Sequence, residues 1–380
     1  MRGITGRAGT ADGKDDGVFE TAVAGLIARV GQTLAEADGR FPVSAEPDSG
    51  EWTWAADGEW CGGFWTGLLW LAAAATGEER YAAAAAEATG RLRARLAAPT
   101  MLRGFLFWYS AGIGGALGLA GEELAELTGA AAGALSEAFD PVAGVLSPGA
   151  EDAERYLWPR PGACIDGLPG GVPLLATGAG RAGRPDWRSL ALAHARNTIR
   201  LCGRPDGSVA QSATYDAGGQ LTAQEVPNGT SDRSTWSRAQ AWAMLGLAQA
   251  AQRSAEFVTP AATVADWYLA HAPADLICYW EFDDPAIPDA PRDTSAAAIA
   301  AAALTKLAPV AGPASDRYRT SAERVLTALA ATHLGPHGGL VDGCYSRKEH
   351  KAERHELVWG DYFALEAMLA LDGVIDGGRL

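Results

Sequence analysis

Strand-like alternation of apolar and polar residues is sparse in this chain of 380 residues. Its apolar share is dominated by Ala and Leu, both good helix formers, rather than by Val and Ile. That disfavours sandwiches and barrels of strands and points to an all-α fold. Cysteine is scarce: Cys61, Cys164, Cys202, Cys278 and Cys344 are odd in number, scattered and without a C-x-x-C pair. Neither a disulfide framework nor a zinc site is expected, and a reducing cytoplasm fits best. Positive charge is in deficit, with 31 Lys and Arg against 46 Asp and Glu and a formal net charge of −15. Nucleic acids and anionic membranes both reward a basic face, so neither is an expected partner. A small anionic substrate is still compatible, since it needs only one or two Arg in its pocket. No stretch approaches about 18 consecutive apolar residues, so no membrane span is expected. Met1–Val18, rich in Gly, Asp and Arg, has no apolar core of a signal peptide and reads as a disordered lead-in.

What is present is helical periodicity. Segments such as Phe19–Ala37, Phe64–Ala75, Arg80–Leu96, Leu190–Leu201, Trp236–Ala251, Ser295–Leu307, Ser321–Thr332 and Tyr362–Leu371 carry apolar residues at helical spacing. Clusters such as Arg204-Pro205-Asp206-Gly207 read as loops or short hairpins between them. Helices also open repeatedly on aromatic, Gly or Asp residues, near Trp60, Gly104, Asp166, Trp236, Asp293 and Trp359. The steps between these starts are roughly 45 to 70 residues, enough for one helical hairpin and a loop each. Repetition at that period predicts an (α/α)6 barrel, six inner and six outer helices with decorated loops at one shared cleft. With no linker visible, residues 19–380 form one predicted domain. Thirteen Trp are unusual for a chain of this size; core packing accounts for most of them, and some are expected in a sugar-binding cleft, where flat rings stack on pyranose faces.

Several motifs are excluded by context. Gly178-Ala-Gly-Arg-Ala-Gly183 has the letters of a dinucleotide loop but follows a helix-like run and precedes Arg184-Pro185, so no nucleotide cofactor is expected. His333 and His337 flank Gly335-Pro336, and His350 and His355 miss the i, i+4 face; no metal site is predicted. No G-x-S-x-G elbow is present. Carboxylates with Trp and Arg remain, the usual equipment for work on sugars.

Glu59-Trp-Cys-Gly-Gly-Phe-Trp-Thr-Gly-Leu-Leu-Trp-Leu71 with Thr76-Gly-Glu-Glu-Arg-Tyr81 resembles the first inner-helix signature of the unsaturated glucuronyl hydrolases, glycoside hydrolase family 88. The resemblance continues through Ile165-Asp166, Ala193-His-Ala-Arg196, Arg204-Pro-Asp-Gly-Ser208 and Gly229-Thr-Ser-Asp-Arg-Ser-Thr-Trp-Ser-Arg-Ala-Gln-Ala-Trp242. Tyr279-Trp-Glu-Phe-Asp283, Pro291-Arg-Asp-Thr-Ser-Ala-Ala-Ala-Ile299 and Trp359-Gly-Asp-Tyr362 complete it. It implies the (α/α)6 barrel and a hydrolase acting on a 4,5-unsaturated uronic acid. By position, Asp166 corresponds to the family's acid and base, with Trp60, Arg238 and Trp242 on the cleft.

Departures from the family pattern are equally specific. A His-Asp pair is expected before the Gly-Phe of the second inner helix, where this chain reads Met101-Leu102-Arg103-Gly104-Phe105. Gln211 stands for a His and Asn228 for a Gln. Arg103 is a candidate for holding a carboxylate or phosphate. These changes keep alternatives open: a diverged member working on an unusual sugar of a specialised metabolite, a non-catalytic sugar-binding barrel, or a two-carboxylate glycosidase pairing Asp166 with Asp232 or Asp361.

Overall fold

The computed structural model describes residues 16–380. The expected lead-in Met1–Val18 lies outside these residues except at its end, where the first helix already begins at Asp16. Among the described residues the chain is mainly helical. In order, α1 is Asp16–Ala37, α2 Gly62–Thr76, α3 Glu79–Leu92, α4 Ile113–Ala116, α5 Glu122–Ser136, α6 Ala150–Tyr156 and α7 Gly171–Arg181. They are followed by α8 Asp186–Cys202, α9 Ser237–Ala251, α10 Val258–His271, α11 Thr294–Leu307, α12 Ser315–Thr332 and α13 Val358–Leu371. The strands are short: β1 Phe41–Ala45, β2 Trp52–Ala55, β3 Phe139–Asp140, β4 Val145–Leu146, β5 Gly162–Cys164, β6 Ser212–Tyr215, β7 Leu221–Glu225 and β8 Glu356–Leu357. They form antiparallel groups β2-β1-β8, β3-β4 and β5-β6-β7, none wider than three strands.

Two kinds of helix are present, and their sequences say which is which. Every residue of α9 is buried, as are Gly62–Ala73 of α2 and Val358–Leu369 of α13. These helices lack a polar face, so they must be covered all round. By contrast α3 buries only Tyr81, Ala85, Thr89 and Leu92, and α12 only Tyr318, Ser321, Ala322, Val325, Leu326 and Leu329. That single stripe is the pattern of a helix with water on its other side. α3 backs α2, α5 and α8 back α7, α10 backs α9 and α12 backs α11. The covered helices meet one another: α9 lies on α11, α11 on α13 and α13 on α2.

Between α2 and α7 the chain is wound as a π-helix, Gly104–Gly112, with every residue buried. Its sequence, Gly-Phe-Leu-Phe-Trp-Tyr-Ser-Ala-Gly, is apolar at nearly every position and offers no period to read. Along the centre, rings from four segments touch: Phe64 and Tyr109 at 4.7 Å, Phe105 and Trp242 at 4.8 Å, Tyr362 and Phe363 at 4.9 Å, Trp242 and Phe363 at 5.6 Å between centroids. Glycine permits the approach. A Cβ on Gly63 would lie 2.0 Å from the Phe105 carbonyl oxygen, and one on Gly104 2.3 Å from the Gly171 nitrogen.

Gly63→Ala is therefore expected to lower stability by about 3 kcal/mol or more in chemical denaturation, because two backbones would have to part. Gly90, in α3 with nothing within 4 Å of such a Cβ, is the control. Gly90→Ala is expected to be neutral or to stabilise by up to about 1 kcal/mol.

Candidate active site

A pocket of about 510 Å³ opens over the aromatic centre. Trp60, Leu102, Phe105, Asp166, Trp236, Arg238, Trp242 and Tyr345 line it, together with Tyr156, Leu157, Trp158, Asn228, Lys348 and Lys351. Of the residues expected from the sequence, Trp60, Asp166, Asn228, Arg238 and Trp242 thus share one concavity. Asp166 sits in the short 3-10 turn Ile165–Gly167, directly after β5. It caps no helix: α7 starts later, behind Gly170, whose positive φ of 74° turns the chain. The turn is held by β5 pairing with β6 and by Ile165 N–H donating to Gln211 O at 2.9 Å. His194 supports it from behind, with Nε2 3.2 Å from Gly167 O. Burial lowers the His194 pKa to about 4, so this imidazole is neutral.

Asp166 is 7% exposed. The Cys164 thiol donates to its Oδ2 at 3.3 Å and the Gln211 amide to the same oxygen at 3.4 Å. Loss of water pushes the carboxyl up to about 6, against the downward pull of these two donors and of the Arg238 charge. Gln211 does not itself line the pocket; it is buried, and its Oε1 accepts from Asn228 N–H at 3.1 Å. It ties the Asn228 loop to the carboxyl.

Arg238 opens α9 and is almost wholly committed. Its Nη1 pairs with Asp293 at 2.8 Å and donates to Cys344 O at 2.7 Å; Nη2 donates to Tyr345 O at 2.5 Å. Its guanidinium lies 4.7 Å over Trp236 and 5.5 Å from the Trp359 ring. Asp293 in turn caps α11, accepting from Ser295 and Ala296 N–H. One arginine so fastens two helix starts to the loop of residues 343–355. That loop brings Tyr345, which accepts from Trp60 Nε1 at 3.0 Å, and Lys351, whose ammonium lies 4.0 Å over the Tyr345 ring. Lys348 donates to Pro227 O at 2.7 Å across the mouth. Tyr345, Lys348, Lys351 and Trp158 escaped the sequence reading. A signal existed in Arg347, Lys348, Lys351 and Arg354, a basic cluster in an acidic chain.

Arg103 is not where the sequence reading puts it. Its Nε donates to Leu96 O at 3.0 Å and its Nη1 to Thr100 O at 2.9 Å, away from the pocket. Neighbouring residues on a helical turn point about 100° apart, and here Leu102 takes the wall. Its role as an anion ligand in this pocket is dropped. Nor do the two suggested carboxylate partners reach Asp166's pocket. Asp232 accepts from Val226 N–H at 3.1 Å in a loop. Asp361 accepts from Leu340 N–H at 2.7 Å; burial and the neighbouring Glu356 hold it well above the usual carboxylate range. The acids that share the lining with Asp166 are Glu59 and Glu349.

No model of a known protein family matches the chain. Over 375 residues it is 28% identical to the unsaturated glucuronyl hydrolase of Bacillus sp. strain GL1, covering 95% of this chain and 98% of that protein. The unsaturated glucuronyl hydrolase of Formosa agariphila is 29% identical over 324 residues, 82% of this chain and 79% of the relative. The crystal structure of the Bacillus sp. GL1 unsaturated glucuronyl hydrolase matches with a TM-score of 0.86 at 28% identity, over 94% of this chain and 97% of that one. The chain is a distant homologue of these hydrolases over nearly its full length.

A raised carboxyl has a measurable cost. Asp166 titrates at about 6 in the fold against an ordinary 3.8, so the folded state binds the proton more tightly than the unfolded one. The penalty is absent below pH 3.8, grows through that interval and is complete above pH 6, at about 3 kcal/mol. Asp166→Asn is expected to match the wild type at pH 3.5 and to exceed it by up to about 3 kcal/mol at pH 8 in urea titrations. An equal gain at both pH values would refute the raised pKa.

Proposed function

We propose that this chain hydrolyses glycosides bearing a 4,5-unsaturated uronic acid, with Asp166 as acid and base on a closed (α/α)6 barrel. The observation that carries the reading is a buried carboxyl pushed up to about 6 inside an aromatic pocket, in a homologue of unsaturated glucuronyl hydrolases. For the closed barrel, the support is that the covered helices neighbour one another in turn, with α7 touching both the π-wound segment and α9.

In this reading Trp60 and Trp242 flank the sugar ring, and protonated Asp166 gives its proton to C4 of the C4=C5 enol ether. Water then adds at C5 and surrenders a proton to the Asp166 carboxylate, which restores the acid. The product is a hemiketal at C5. Its ring opens to a ketone and leaves a hemiacetal at C1, which collapses and releases the aglycone as an alcohol. The Arg238 charge stabilises the carboxylate between the two steps. Gln211 orients the carboxyl, and Asn228, on the lining, is placed to contact the sugar. With all five thiols buried and unpaired, a reducing cytoplasm is the proposed setting.

A second reading, a member re-purposed for an unusual sugar, is favoured by one feature. Leu102 lines the wall where the family resemblance calls for an Asp, and Leu157, 77% exposed, adds an apolar residue at the rim. A leucine cannot hydrogen-bond a sugar hydroxyl. On this reading the preferred sugar lacks a hydroxyl at that wall.

Incubation with a 4,5-unsaturated disaccharide, followed by loss of alkene absorbance, tests both. Asp166→Asn is expected to cut kcat by about a thousandfold or more, and the wild-type rate to fall as pH rises above about 6 because the acid form is needed first. Near-full activity in Asp166→Asn would overturn the assignment. Binding without turnover would identify a sugar-binding barrel instead. Leu102→Asp is expected to raise activity on the disaccharide severalfold if the second reading holds, and to lower it if the unsaturated disaccharide is already the natural substrate.

A further inference from the structure

The Asp166 side chain is held by two long bonds, 3.3 Å from Cys164 and 3.4 Å from Gln211. Bonds of that length constrain weakly, so the direction of the carboxyl is set by its backbone. On one side Ile165 N–H donates to Gln211 O at 2.9 Å. On the other, Gly167 O meets His194 Nε2 at 3.2 Å. This imidazole ties the turn to the body of the fold. His194 belongs to α8 and is fully buried, and its Nδ1 lies 3.1 Å from the Leu146 nitrogen in β4.

These partners admit one tautomer. A backbone N–H can only donate, so Nδ1 bears no hydrogen and accepts from Leu146. A carbonyl can only accept, so Nε2 carries the hydrogen and donates it to Gly167 O. The Thr198 hydroxyl, 3.1 Å from Nδ1, can turn its own hydrogen to the same nitrogen. Burial lowers the His194 pKa to about 4, which keeps the ring neutral near pH 6, where Asp166 titrates. Gly167 is also gripped by packing. A Cβ there would lie 2.0 Å from Met101 Cε, so the thioether methyl rests on the bare Cα. Met101 is itself fixed: it is fully buried, and its N–H donates to Asp152 Oδ2 at 2.7 Å.

We propose that His194 is a positioning residue. Through its Nε2–H bond to the Gly167 carbonyl, and with Met101 packed on the same glycine, it fixes the turn that aims Asp166 into the pocket. The proposal rests on Asp166 being the acid of the reaction above.

Two substitutions separate this role from plain stability. His194→Asn can still offer an oxygen to Leu146 N–H but is too short to reach Gly167 O. His194→Gln can still bring an N–H to Gly167 O but leaves Leu146 without its acceptor. Each loses one of two buried bonds, so both are expected to lose stability alike in urea titrations. On a 4,5-unsaturated disaccharide His194→Asn is expected to lose kcat about tenfold or more, with KM within about twofold, while His194→Gln keeps most of its kcat. In a carbon NMR titration the Asp166 carboxyl is identified by its loss in Asp166→Asn. It is expected near 6 in the wild type and His194→Gln, and to fall toward 3.8 in His194→Asn as a loosened turn admits water. Should His194→Asn not fold, Met101→Ala removes the packing on Gly167, leaves both imidazole bonds, and is expected to show the same two falls. Equal losses of kcat in His194→Asn and His194→Gln, a loss confined to KM, or a carboxyl midpoint that moves in neither His194→Asn nor Met101→Ala would overturn the proposal. A wild type that turns over no unsaturated disaccharide would overturn the reaction instead, and the carboxyl titration would still decide whether His194 sets the Asp166 turn.

Discussion

The ring-to-ring packing of Phe64, Phe105, Tyr109, Trp242 and Phe363 along the centre is what the rest of the fold answers to. Helices such as α9 and α11 have no polar side, so their inner surfaces need something apolar to meet. Ala and Gly on those surfaces bring the backbones close, and the space left inside is filled by large rings rather than by more backbone. Removing one such ring would forfeit about 3–5 kcal/mol. A filled centre also separates the two ends of the helices, and the starts of α2 and α9 are where the pocket forms. Trp242 belongs to both halves of this description. One edge packs on Phe105 and Phe363, while the residue also lines the pocket.

Much of this was legible in the sequence, for physical reasons that can be named. The outer helices announce themselves by a single apolar stripe, as in Tyr318 to Leu329, and the inner ones by apolar runs bounded by aromatic or acidic starts. Trp60, Asp166 and Trp242 share a pocket although they are distant in the chain, as the repeat of decorated helix starts implies. What stayed hidden lacks period or depends on direction. Residues 104–112 are apolar almost throughout, so no face can be assigned and the π winding leaves no trace. Arg103 and Leu102 are adjacent, and only the backbone decides which of them faces the pocket. The loop of residues 343–355 is polar and irregular, yet Arg238 pins it by the carbonyls of Cys344 and Tyr345, groups that every residue possesses and no sequence motif marks.

Three pairs of opposite charges are buried together in this protein. Lys306 meets Glu366 at 2.7 Å, Arg29 meets Glu356 at 2.9 Å and Arg238 meets Asp293 at 2.8 Å, all nearly inaccessible to water. Breaking such pairs strands a charge in a poor solvent, so both members persist together. Asp166 differs. Arg238, the cation whose charge bears on it, spends its donors on Asp293 and on two carbonyls, and acts on Asp166 only through space. Had that guanidinium been free to bind Asp166 directly, the carboxylate would have been stabilised and its pKa driven down. The clamp on the loop and the high pKa of Asp166 are thus one arrangement seen from two sides.

The same geometry fixes which oxygen of Asp166 holds the proton. Gln211 Oε1 accepts from Asn228 N–H, which orients the amide and leaves Nε2, a pure donor, turned to Asp166 Oδ2. Cys164 also points its thiol at Oδ2, and burial keeps that thiol protonated by raising its pKa. An oxygen that accepts from two donors has no room to carry a hydrogen of its own between them. In the acid form the proton therefore resides on Oδ1, the oxygen that neither donor engages. Both donors are long, at 3.3 and 3.4 Å, so they orient the carboxyl without stabilising its anion strongly. A pair of short, charge-assisted bonds would have oriented it equally well and taken away the acid.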